Sequence, residues 1–457
     1  MEGRGRRETG LSGGKMQETP ISDAVSTRLR RIAQLAREAP QRSFLSLAHH
    51  IDVEFLREAY RLTRKDGAPG VDGQTARHYE TELETNLRSL LDRFKSGEYK
   101  APPVRRAHIP KGDGKKTRPI GIPTFEDKLL QRAVSMVLET VYEPIFSDSS
   151  YGFRPGRSAR QAVQDLWKIL TQMQGGWVIE ADIECFFDTL DHRKLRTLLD
   201  QRVRDGVLRR TIDKWLKAGV LEQEQLHYPH SGTPQGGVIS PLLANIYLHY
   251  VLDEWFEKDI APRLGSRAHL IRYADDFVLV FREAQDAYTV FDRLVGRFAE
   301  YGLKLHPDKT RLLFFRPPPW GPTGKQRLEP RSFDFLGFNH HWGRSRNGRW
   351  VVQQTTARSR LARTLHRISD WCRHNRHLAL DDQHHHLVRK LQGHDAYFGI
   401  RGNYAALEKL RHGAARVWRH WLNRRSQRGR MPWARFQLLL ARYPMPRPQL
   451  HPVGVNA

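Results

Sequence analysis

The sequence contains few cysteines and no long apolar run. Only two of its 457 residues are cysteines, Cys185 and Cys372, and they lie far apart. This excludes a disulfide framework and a cysteine-based zinc site. No stretch approaches 18 apolar residues, and the basic N-terminus has no apolar segment after it, so neither a membrane span nor a secretory signal is predicted. We therefore expect a cytoplasmic protein without a membrane partner.

Acidic residues are also scarce relative to basic ones. Lys and Arg number 76 against 50 Asp and Glu, which gives a formal net charge of +26. So large an excess on a folded chain predicts a polyanionic partner, and nucleic acid is the leading candidate. The imbalance is greatest from Arg401 to Ala457, where twelve basic residues accompany a single acid, Glu408. The C-terminal region is therefore the first place to expect nucleic acid.

The pattern of apolar residues predicts a mixed α+β fold. Residues 1–22 are rich in Gly and Arg without periodicity and are predicted to form a flexible arm. Helical spacing recurs along the chain at residues 25–37, 52–64, 79–96 and 126–142. Residues 100–123 combine apolar positions with Pro and Gly, which predicts a two-stranded hairpin with a basic tip. After residue 357 the chain is predicted to be helical and basic.

Strands are predicted in the middle of the chain. The pattern of residues 177–183 predicts one strand, and the patterns of residues 268–273 and 277–281 predict two more. Only three residues separate the last two strands, which predicts a tight hairpin with Asp275 and Asp276 at its tip.

A second hairpin is predicted further along. Residues 333–338 and 349–353 are apolar and flank the dipeptide Asn347-Gly348, a strong turn signal. We expect these two runs to pair with each other.

Three acids in this region form a candidate metal site. Asp182 ends the first strand, so it can meet Asp275 and Asp276 if the strands are neighbours in one sheet. Two unit charges about 4 Å apart repel by about 4 kcal/mol at an effective dielectric near 20, and bound cations would reverse the sign. Carboxylates on a rigid sheet suit Mg²⁺, and two such ions about 3.5–4 Å apart support phosphoryl transfer. The alternative is an ordinary polar hairpin tip.

At this point the sequence resembles a known family. Its motifs, in chain order, are GIPTFEDKLLQRAV, SYGFRPGRSARQAV, IEADIECFFDTLDH, GTPQGGVISPLLANIYL, RYADDFVLVF, GLKLHPDKT and FDFLGF. Together they resemble the reverse transcriptases and splicing maturases encoded by bacterial group II introns. The resemblance runs from about Gly67 to Arg447 and implies a right-hand polymerase with fingers, palm and thumb.

The resemblance implies a catalytic role for the three acids. Asp182, Asp275 and Asp276 match the metal-binding triad of the palm, which holds two Mg²⁺ ions, and the carbonyl of Ile183 is a candidate further ligand. Phe187 matches the bulky residue that collides with a 2′-hydroxyl and so favours dNTPs over rNTPs. A buried core phenylalanine is the alternative, because Phe186 beside it must point the other way along an extended segment.

Other matching positions imply contacts with nucleotide and primer. Lys111 and Arg118, on the predicted basic hairpin, match the positions that hold the incoming triphosphate, with a solvated basic surface as the alternative. Gln235 would lie beneath the templating base, and Lys309 is a candidate further palm contact. The primer grip, which presses the primer 3′ end toward the metals, is matched by Phe335, Leu336 and Gly337.

The resemblance also implies four regions and an RNA-binding C-terminus. The regions are an arm (1–22), fingers with part of the palm (23–175), the palm (176–356) and a helical thumb or maturase domain (357–450). RNA binding is predicted for Arg416, Trp418, Arg419, Arg424 and Arg425, where tryptophans and arginines interleave. The alternative is that the tryptophans form the core of the thumb.

The function implied is that of a bacterial RNA-directed DNA polymerase, associated with the nucleoid, that also assists splicing. Its partners would be group II intron RNA, an RNA template with a DNA primer, dNTPs and target DNA. The cysteine pairs and His-Asn-His pattern of the family's endonuclease domain do not occur, so we expect no cleavage of the second target strand. Alternatives are a related reverse transcriptase of a defence or diversity-generating system, or an RNA-binding splicing chaperone without polymerase activity.

Overall fold

The protein has a mixed α+β fold. The computed structural model describes residues 22–110, 117–222, 225–227, 232, 236–318, 332–426 and 431–451. Nearly all of the predicted N-terminal arm therefore lies outside the described residues. Across the described ranges, no helix combines the length and apolarity needed to cross a bilayer.

The N-terminal part consists of helices and one hairpin. These elements are α1 (Asp23–Glu38), α2 (Val53–Leu62), α3 (Ala76–Glu80), α4 (Leu83–Ser96), β1 (Val104–Pro110), β2 (Thr117–Ile122) and α5 (Phe125–Tyr142). The helices predicted at 25–37, 52–64 and 126–142 and the predicted hairpin are confirmed. The single helix predicted over 79–96 is wrong, because the helix is interrupted between α3 and α4. The side-chain amide of Asn86 donates to the Tyr79 carbonyl at 3.0 Å. It thereby satisfies an acceptor that has no helical partner at the interruption.

The middle part alternates helices and strands. In order they are α6 (Ala159–Gln172), β3 (Gly176–Ala181), α7 (Phe186–Thr189), α8 (His192–Asp200), α9 (Gly206–Leu216), β4 (Val220–Glu222), β5 (Gln225–His227), α10 (Ser240–Leu248), β6 (Ala268–Tyr273), β7 (Asp276–Phe281), α11 (Ala284–Glu300) and β8 (Arg311–Phe315). Helix α10 continues into two π-helical stretches, His249–Asp253 and Trp255–Ile260.

The last part is a three-stranded sheet followed by helices. The elements are β9 (Ser332–Phe335), β10 (Phe338–Arg344), β11 (Trp350–Thr356), α12 (Arg358–His374), α13 (Leu380–Phe398), α14 (Tyr404–Leu422) and α15 (Trp433–Arg442). The Asn347-Gly348 turn does join two strands, β10 and β11. The pairing of residues 333–338 with 349–353 is wrong in part, because residues 333–338 contain a turn of their own between β9 and β10.

The central sheet is four-stranded and antiparallel, with the order β6-β7-β3-β8. Strand β7 shows how it is buried: Phe277, Leu279 and Phe281 pack into one core, whereas Val278 and Val280 pack into another. This follows from the two-residue period of a strand. The first core includes α5, α10 and α11, and the second includes α6 and the β9–β11 sheet. The sheet is thus fixed from both faces.

Two smaller structures flank the central sheet. The sheet β2-β1-β4-β5 joins the predicted basic hairpin to two short strands, with β1 and β4 parallel and the other pairs antiparallel. At the other end, helices α12 to α15 share a third core around Trp418, Leu410 and Leu387. Helix α12 packs against both α14 and the turn that follows β9.

A fully buried ion pair supports the β6–β7 hairpin. The Arg272 guanidinium donates to both carboxylate oxygens of Asp253, with Nε–Oδ1 at 2.7 Å and Nη2–Oδ2 at 2.5 Å. Its Nη1 also donates to Asn245 Oδ1 at 3.0 Å and to the carbonyl of Ala274 at 3.1 Å. Burial outweighs Arg272 and raises the pKa of Asp253. Forming such a pair contributes little net stability, but breaking it leaves an uncompensated charge in the core.

We expect the Asp253→Ala substitution to lower the free energy of unfolding by about 3–5 kcal/mol, because Arg272 loses its buried counter-charge. Urea denaturation of the purified protein measures this. The matched control is Glu84→Ala, which breaks the exposed Arg57–Glu84 pair and should leave the midpoint nearly unchanged. Equal midpoints for the two variants would contradict the role of the buried pair.

Candidate active site

Two aspartates occupy the tip of the β6–β7 hairpin. Ala274 and Asp275 form the turn, and Tyr273 pairs with Asp276 across it. Ala274 has a φ of 57°, a left-handed conformation that suits a two-residue turn between strands. The predicted hairpin is confirmed, with Asp276 as the first residue of β7.

The third aspartate lies at the end of the neighbouring strand. Ala181, the last residue of β3, pairs with Phe277 of β7. Continuing this register by one residue brings Asp182 opposite Asp276. Because side chains alternate along strands, the two acids belong to the same face of the sheet. Acids about ninety positions apart in the sequence therefore meet at one edge of the sheet.

The three acids act on one another electrostatically. Burial, together with Asp275 and Asp182, raises the pKa of Asp276 to about 7. Burial also raises the pKa of Asp275, and Asp182 adds to this effect, whereas Arg118 and Lys309 oppose it. Desolvation and the repulsion between the acids therefore both disfavour the ionised forms. A bound divalent cation would supply the compensating positive charge.

One lysine contacts the cluster directly. The chain after β3 pairs with the loop before β8: Ile183 is bridged to Leu305, and the His306 amide donates to the Asp182 carbonyl at 2.8 Å. This pairing brings the Lys309 ammonium into an ion pair with the Asp182 carboxylate. Ile183 itself is buried. Lys309, predicted as a palm contact, therefore lies beside the acids.

The donor chemistry of this cluster fits hard divalent cations. Three carboxylates on a rigid sheet supply the oxygen ligands that Mg²⁺ prefers. Within the described ranges, no group of three His, Cys, Asp or Glu side chains is arranged to hold a metal ion. The Asp182 carboxylate instead contacts Lys309. Binding an ion between all three acids would require Asp182 to exchange its ammonium partner for the metal.

The hairpin turn rests on a second segment that sequence analysis had not connected to it. The Tyr151 amide donates to the Arg272 carbonyl at 2.9 Å. A Cβ at Gly152 would press against the Ala274 amide nitrogen and lie 3.0 Å from the carbonyl carbon of Tyr273. Only glycine allows the two backbones to approach this closely. The SYGFRPGRS motif therefore holds the acid-bearing turn in place.

The predicted nucleotide contacts are partly described. Arg118 is exposed on β2 and lies within electrostatic reach of the hairpin acids. Lys111 and Gln235 lie outside the described residues. The residue after Gln235 is informative: a Cβ at Gly236 would lie 2.5 Å from the Gly121 carbonyl oxygen. Gly236 therefore packs against the strand that carries Arg118.

Phe187 lies in a short helix. The prediction of an extended segment here is wrong, because Cys185 adopts a left-handed conformation with φ 48° and helix α7 begins at the next residue. Phe186 is buried in the main core, and Phe187 packs against that core while staying partly exposed. The two rings lie 5.4 Å apart, edge to face. Phe187, unlike Phe186, can therefore be reached by a substrate.

The predicted primer-grip residues form a two-residue turn between β9 and β10. Phe335 is buried and pairs with Phe338. Leu336 and Gly337 have φ values of 50° and 83°, as tight hairpin turns require. The amide of Ala357 donates to the Gly337 carbonyl at 2.9 Å, which ties the turn to the start of α12.

Two residues of the C-terminal helices also reach this region, and sequence analysis missed both. The Tyr397 hydroxyl donates to the Leu336 carbonyl at 3.0 Å. Arg360, in the first turn of α12, lies against Gly337, where an added Cβ would be 3.3 Å from the arginine Nε. The charge of Arg360 also opposes the rise in the pKa of Asp276. The first turn of α12 therefore adds positive charge near the acids.

The residues predicted to bind RNA differ in exposure. Trp418 is fully buried and donates its indole N–H to Gln383 Oε1 at 2.9 Å. It cannot stack on a base, so this prediction is wrong and the core alternative is correct, because its helix face packs against the other C-terminal helices. The four predicted arginines remain at the surface or half-exposed: Arg416, Arg419, Arg424 and Arg425.

The sequence did carry signals for some of the residues it failed to identify. Arg272 is a lone basic residue in a buried strand, which demands a buried acid as partner. Its partner Asn245 lies in the GTPQGGVISPLLANIYL motif, and its partner Asp253 follows that motif. No local pattern names them, because the contact forms only when α10 packs beneath the sheet.

We expect Gly152→Ala to reduce the catalytic activity of this site by about 10- to 100-fold, because the added methyl group displaces the Ala274–Asp275 turn. Nucleotide incorporation under saturating substrate is the measurement. Gly265→Ala is the matched control, since a Cβ there meets nothing within 4 Å. Wild-type activity in a folded Gly152→Ala protein would show that the close contact does not position the acids.

Comparison with known proteins gives a family for the part of the chain that carries the three acids. Residues 109–340 match the family model described as reverse transcriptase (RNA-dependent DNA polymerase). The chain is 35% identical over 322 residues to the protein YkfC of Escherichia coli K12, covering 63% of this chain and 84% of that protein. It is 48% identical over 168 residues to the group II intron-encoded protein LtrA of Lactococcus lactis subsp. cremoris, covering 36% of this chain.

The match to LtrA spans 27% of that protein's length. A plant protein, the mitochondrial nuclear intron maturase 4 of Arabidopsis thaliana, is 30% identical over 128 residues, which are 28% of this chain and 16% of that protein. The matched range, residues 109–340, includes Asp182, Asp275 and Asp276 together with the turn at Leu336. The chain belongs to the reverse transcriptase family, and part of it is similar to a group II intron-encoded protein.

Proposed function

We propose that the protein is an RNA-directed DNA polymerase that joins a primer 3′-hydroxyl to a dNTP. The observation that carries the proposal is the meeting of Asp182 with Asp275 and Asp276 at one edge of a sheet buried on both faces. Two Mg²⁺ ions, held by these acids with the Ile183 carbonyl as a candidate further ligand, would stabilise the attacking and leaving oxygens. The protein's own part is to fix the carboxylates and to bind and orient the substrates.

The right-hand layout belongs to the same proposal. The fingers with part of the palm would be residues 23–175, the palm 176–356 and the thumb or maturase domain 357–450, after an arm of residues 1–22. Three separate groups of elements support this division: the central sheet carries the acids, the β1–β2 hairpin belongs to another sheet, and the helices after β11 share a core of their own. A nucleic-acid duplex would lie between the hairpin and these helices.

Basic residues from different elements would bind the phosphates of the dNTP. Arg118 and Lys111 would hold the triphosphate from the β1–β2 hairpin, because their charge complements its oxygens. Gln235 would lie beneath the templating base, and the packing of Gly236 on β2 supports a position close to the triphosphate. Lys309 would bind substrate phosphate once its carboxylate partner, Asp182, holds a metal ion.

The 3′ end of the primer would lie on the turn formed by Leu336 and Gly337 after the buried Phe335. Tyr397 and Arg360 line the same turn and belong to the helices proposed as the thumb. The Arg360 guanidinium, which lies near the acids, would contact a phosphodiester of the primer. The primer grip is thus proposed as a joint feature of sheet and thumb.

The C-terminal helices would bind RNA. Arg416, Arg419, Arg424 and Arg425 supply the charge. Relatives named group II intron-encoded protein and nuclear intron maturase support intron RNA as the partner. We propose that the protein binds its group II intron RNA, assists splicing and copies the intron at a target DNA. We propose from these activities that the protein is associated with the nucleoid in a bacterial cytoplasm. No observation favours a defence enzyme or a polymerase-free chaperone over this proposal.

We expect Asp275→Asn to lower primer extension at least about 100-fold, because the site loses a charged ligand. Extension of a DNA primer on RNA and DNA templates, with Mg²⁺ and with EDTA, is the measurement. Primer-template binding and RNA splicing by the same variant should persist, which separates polymerase from maturase activity. The control is Asp292→Asn, an exposed acid of α11. Undiminished extension in Asp275→Asn, or extension in EDTA, would refute the proposed mechanism.

We expect Phe187→Ala to reduce the preference for dNTP over rNTP by on the order of 10-fold, because the smaller side chain leaves room for a 2′-hydroxyl. The ratio of kcat/KM for dCTP and CTP is the measurement. Phe186→Leu is the control, since it alters the core beside Phe187 and should lower stability without changing the ratio. An unchanged ratio in Phe187→Ala would remove this residue from the substrate site.

A further inference from the structure

A cavity lies at the surface of the C-terminal helices, away from the acids. It has a volume of about 520 Å³ and is bounded by α12, α14 and the start of α15. The helices approach closely beside it, since a Cβ at Gly413 would lie 2.7 Å from Leu365 Cδ2. We call this space the C-terminal cavity. Its volume falls in the range of about 300–1,000 Å³ typical of ligand sites.

Two tryptophans provide flat walls. The Trp421 indole N–H donates to Ser369 Oγ at 3.0 Å, so its ring is fixed in one orientation. Trp433 is 46% exposed, and the Arg419 guanidinium lies 4.2 Å from the centre of its ring. Arg419 also donates to the Met431 carbonyl at 3.1 Å. Indole rings and a stacked guanidinium plane are therefore accessible at the surface for stacking with a ligand.

The cavity is also positively charged. Arg416 and His420 line it and are exposed. Neither makes a hydrogen bond or ion pair with any residue in the part of the chain that the structure describes. No acid belongs to the described lining, so a hard divalent cation would find no carboxylate ligand here. A ligand that fits must combine a flat apolar surface with negative charge.

We propose that the C-terminal cavity binds one unpaired nucleotide of a structured RNA. Its base would stack on the indole and guanidinium surfaces that remain exposed, and its phosphate would contact Arg416 and His420. Bases within a duplex are closed to such contacts, so the nucleotide must come from a bulge or loop. This inference rests on the proposed RNA binding and adds that one position is recognised by its base.

Short RNA hairpins with a single bulged nucleotide test the proposal on the full-length protein. We expect them to bind about 5- to 150-fold more tightly than a fully paired hairpin or one with an abasic bulge, since stacking one base contributes this much. All four bulged bases are compared, and 2-aminopurine in the bulge should be quenched on binding. No difference between base and abasic bulge, for every base, overturns the proposal.

Variants assign the effect to the cavity. Trp433→Leu should abolish the preference for a bulged base, whereas Trp167→Leu, at another partly exposed tryptophan, should not. Replacing Trp433 also removes its contact with Phe436, so a second variant is needed. Arg416→Glu disturbs no described contact, and it should weaken binding of the bulged hairpin. A preference that survives both variants places the base elsewhere and overturns the proposal.

Failure of the proposed function would look different. Salt-sensitive binding of the fully paired hairpin reports on general RNA binding, and primer extension reports on the polymerase. Both should be unaffected by Trp433→Leu. If the fully paired hairpin does not bind at all, RNA binding itself is refuted. If it binds but the base makes no difference, only the nucleotide site is refuted.

Discussion

The buried pair of Arg272 and Asp253 is the contact on which the site depends. Two charges are removed from water at a cost that their attraction barely recovers, so net stability does not account for the pair. Its effect is positional: the same guanidinium holds the Ala274 carbonyl, and Ala274 precedes Asp275. The π-helical end of α10 is thereby joined to the turn that carries the acids. A hydrophobic replacement could fill the space but could not hold that carbonyl.

Electrostatic imbalance characterises the other side of the turn. Burial and mutual repulsion raise the pKa values of Asp275 and Asp276, and the opposing cations come from separate elements: β2, the loop before β8 and the first turn of α12. Each carries a single basic residue toward the acids. A substrate with phosphates and divalent ions would complete this charge balance.

Local signals accounted for much of the fold. Helix α5 and the β6–β7 hairpin follow from apolar period and turn chemistry, which short segments carry by themselves. The predictions failed where distant contacts decide. The break before Leu83, the turn at Leu336 inside an apolar run and the burial of Trp418 depend on packing partners far along the chain. An indole among arginines looks the same in sequence whether it faces RNA or a neighbouring helix.

The sequence by itself determined the acids, their place at strand ends and the family to which they point, because residue type and spacing are local properties of the chain. Only the tertiary structure decided that Gly152 contacts the turn at Ala274, that Asp253 pairs with Arg272, and that Arg360 and Tyr397 contact the turn at Leu336 and Gly337. Those contacts join segments whose separation in sequence leaves no periodic trace. They exist because close packing admits one arrangement of the helices around the central sheet.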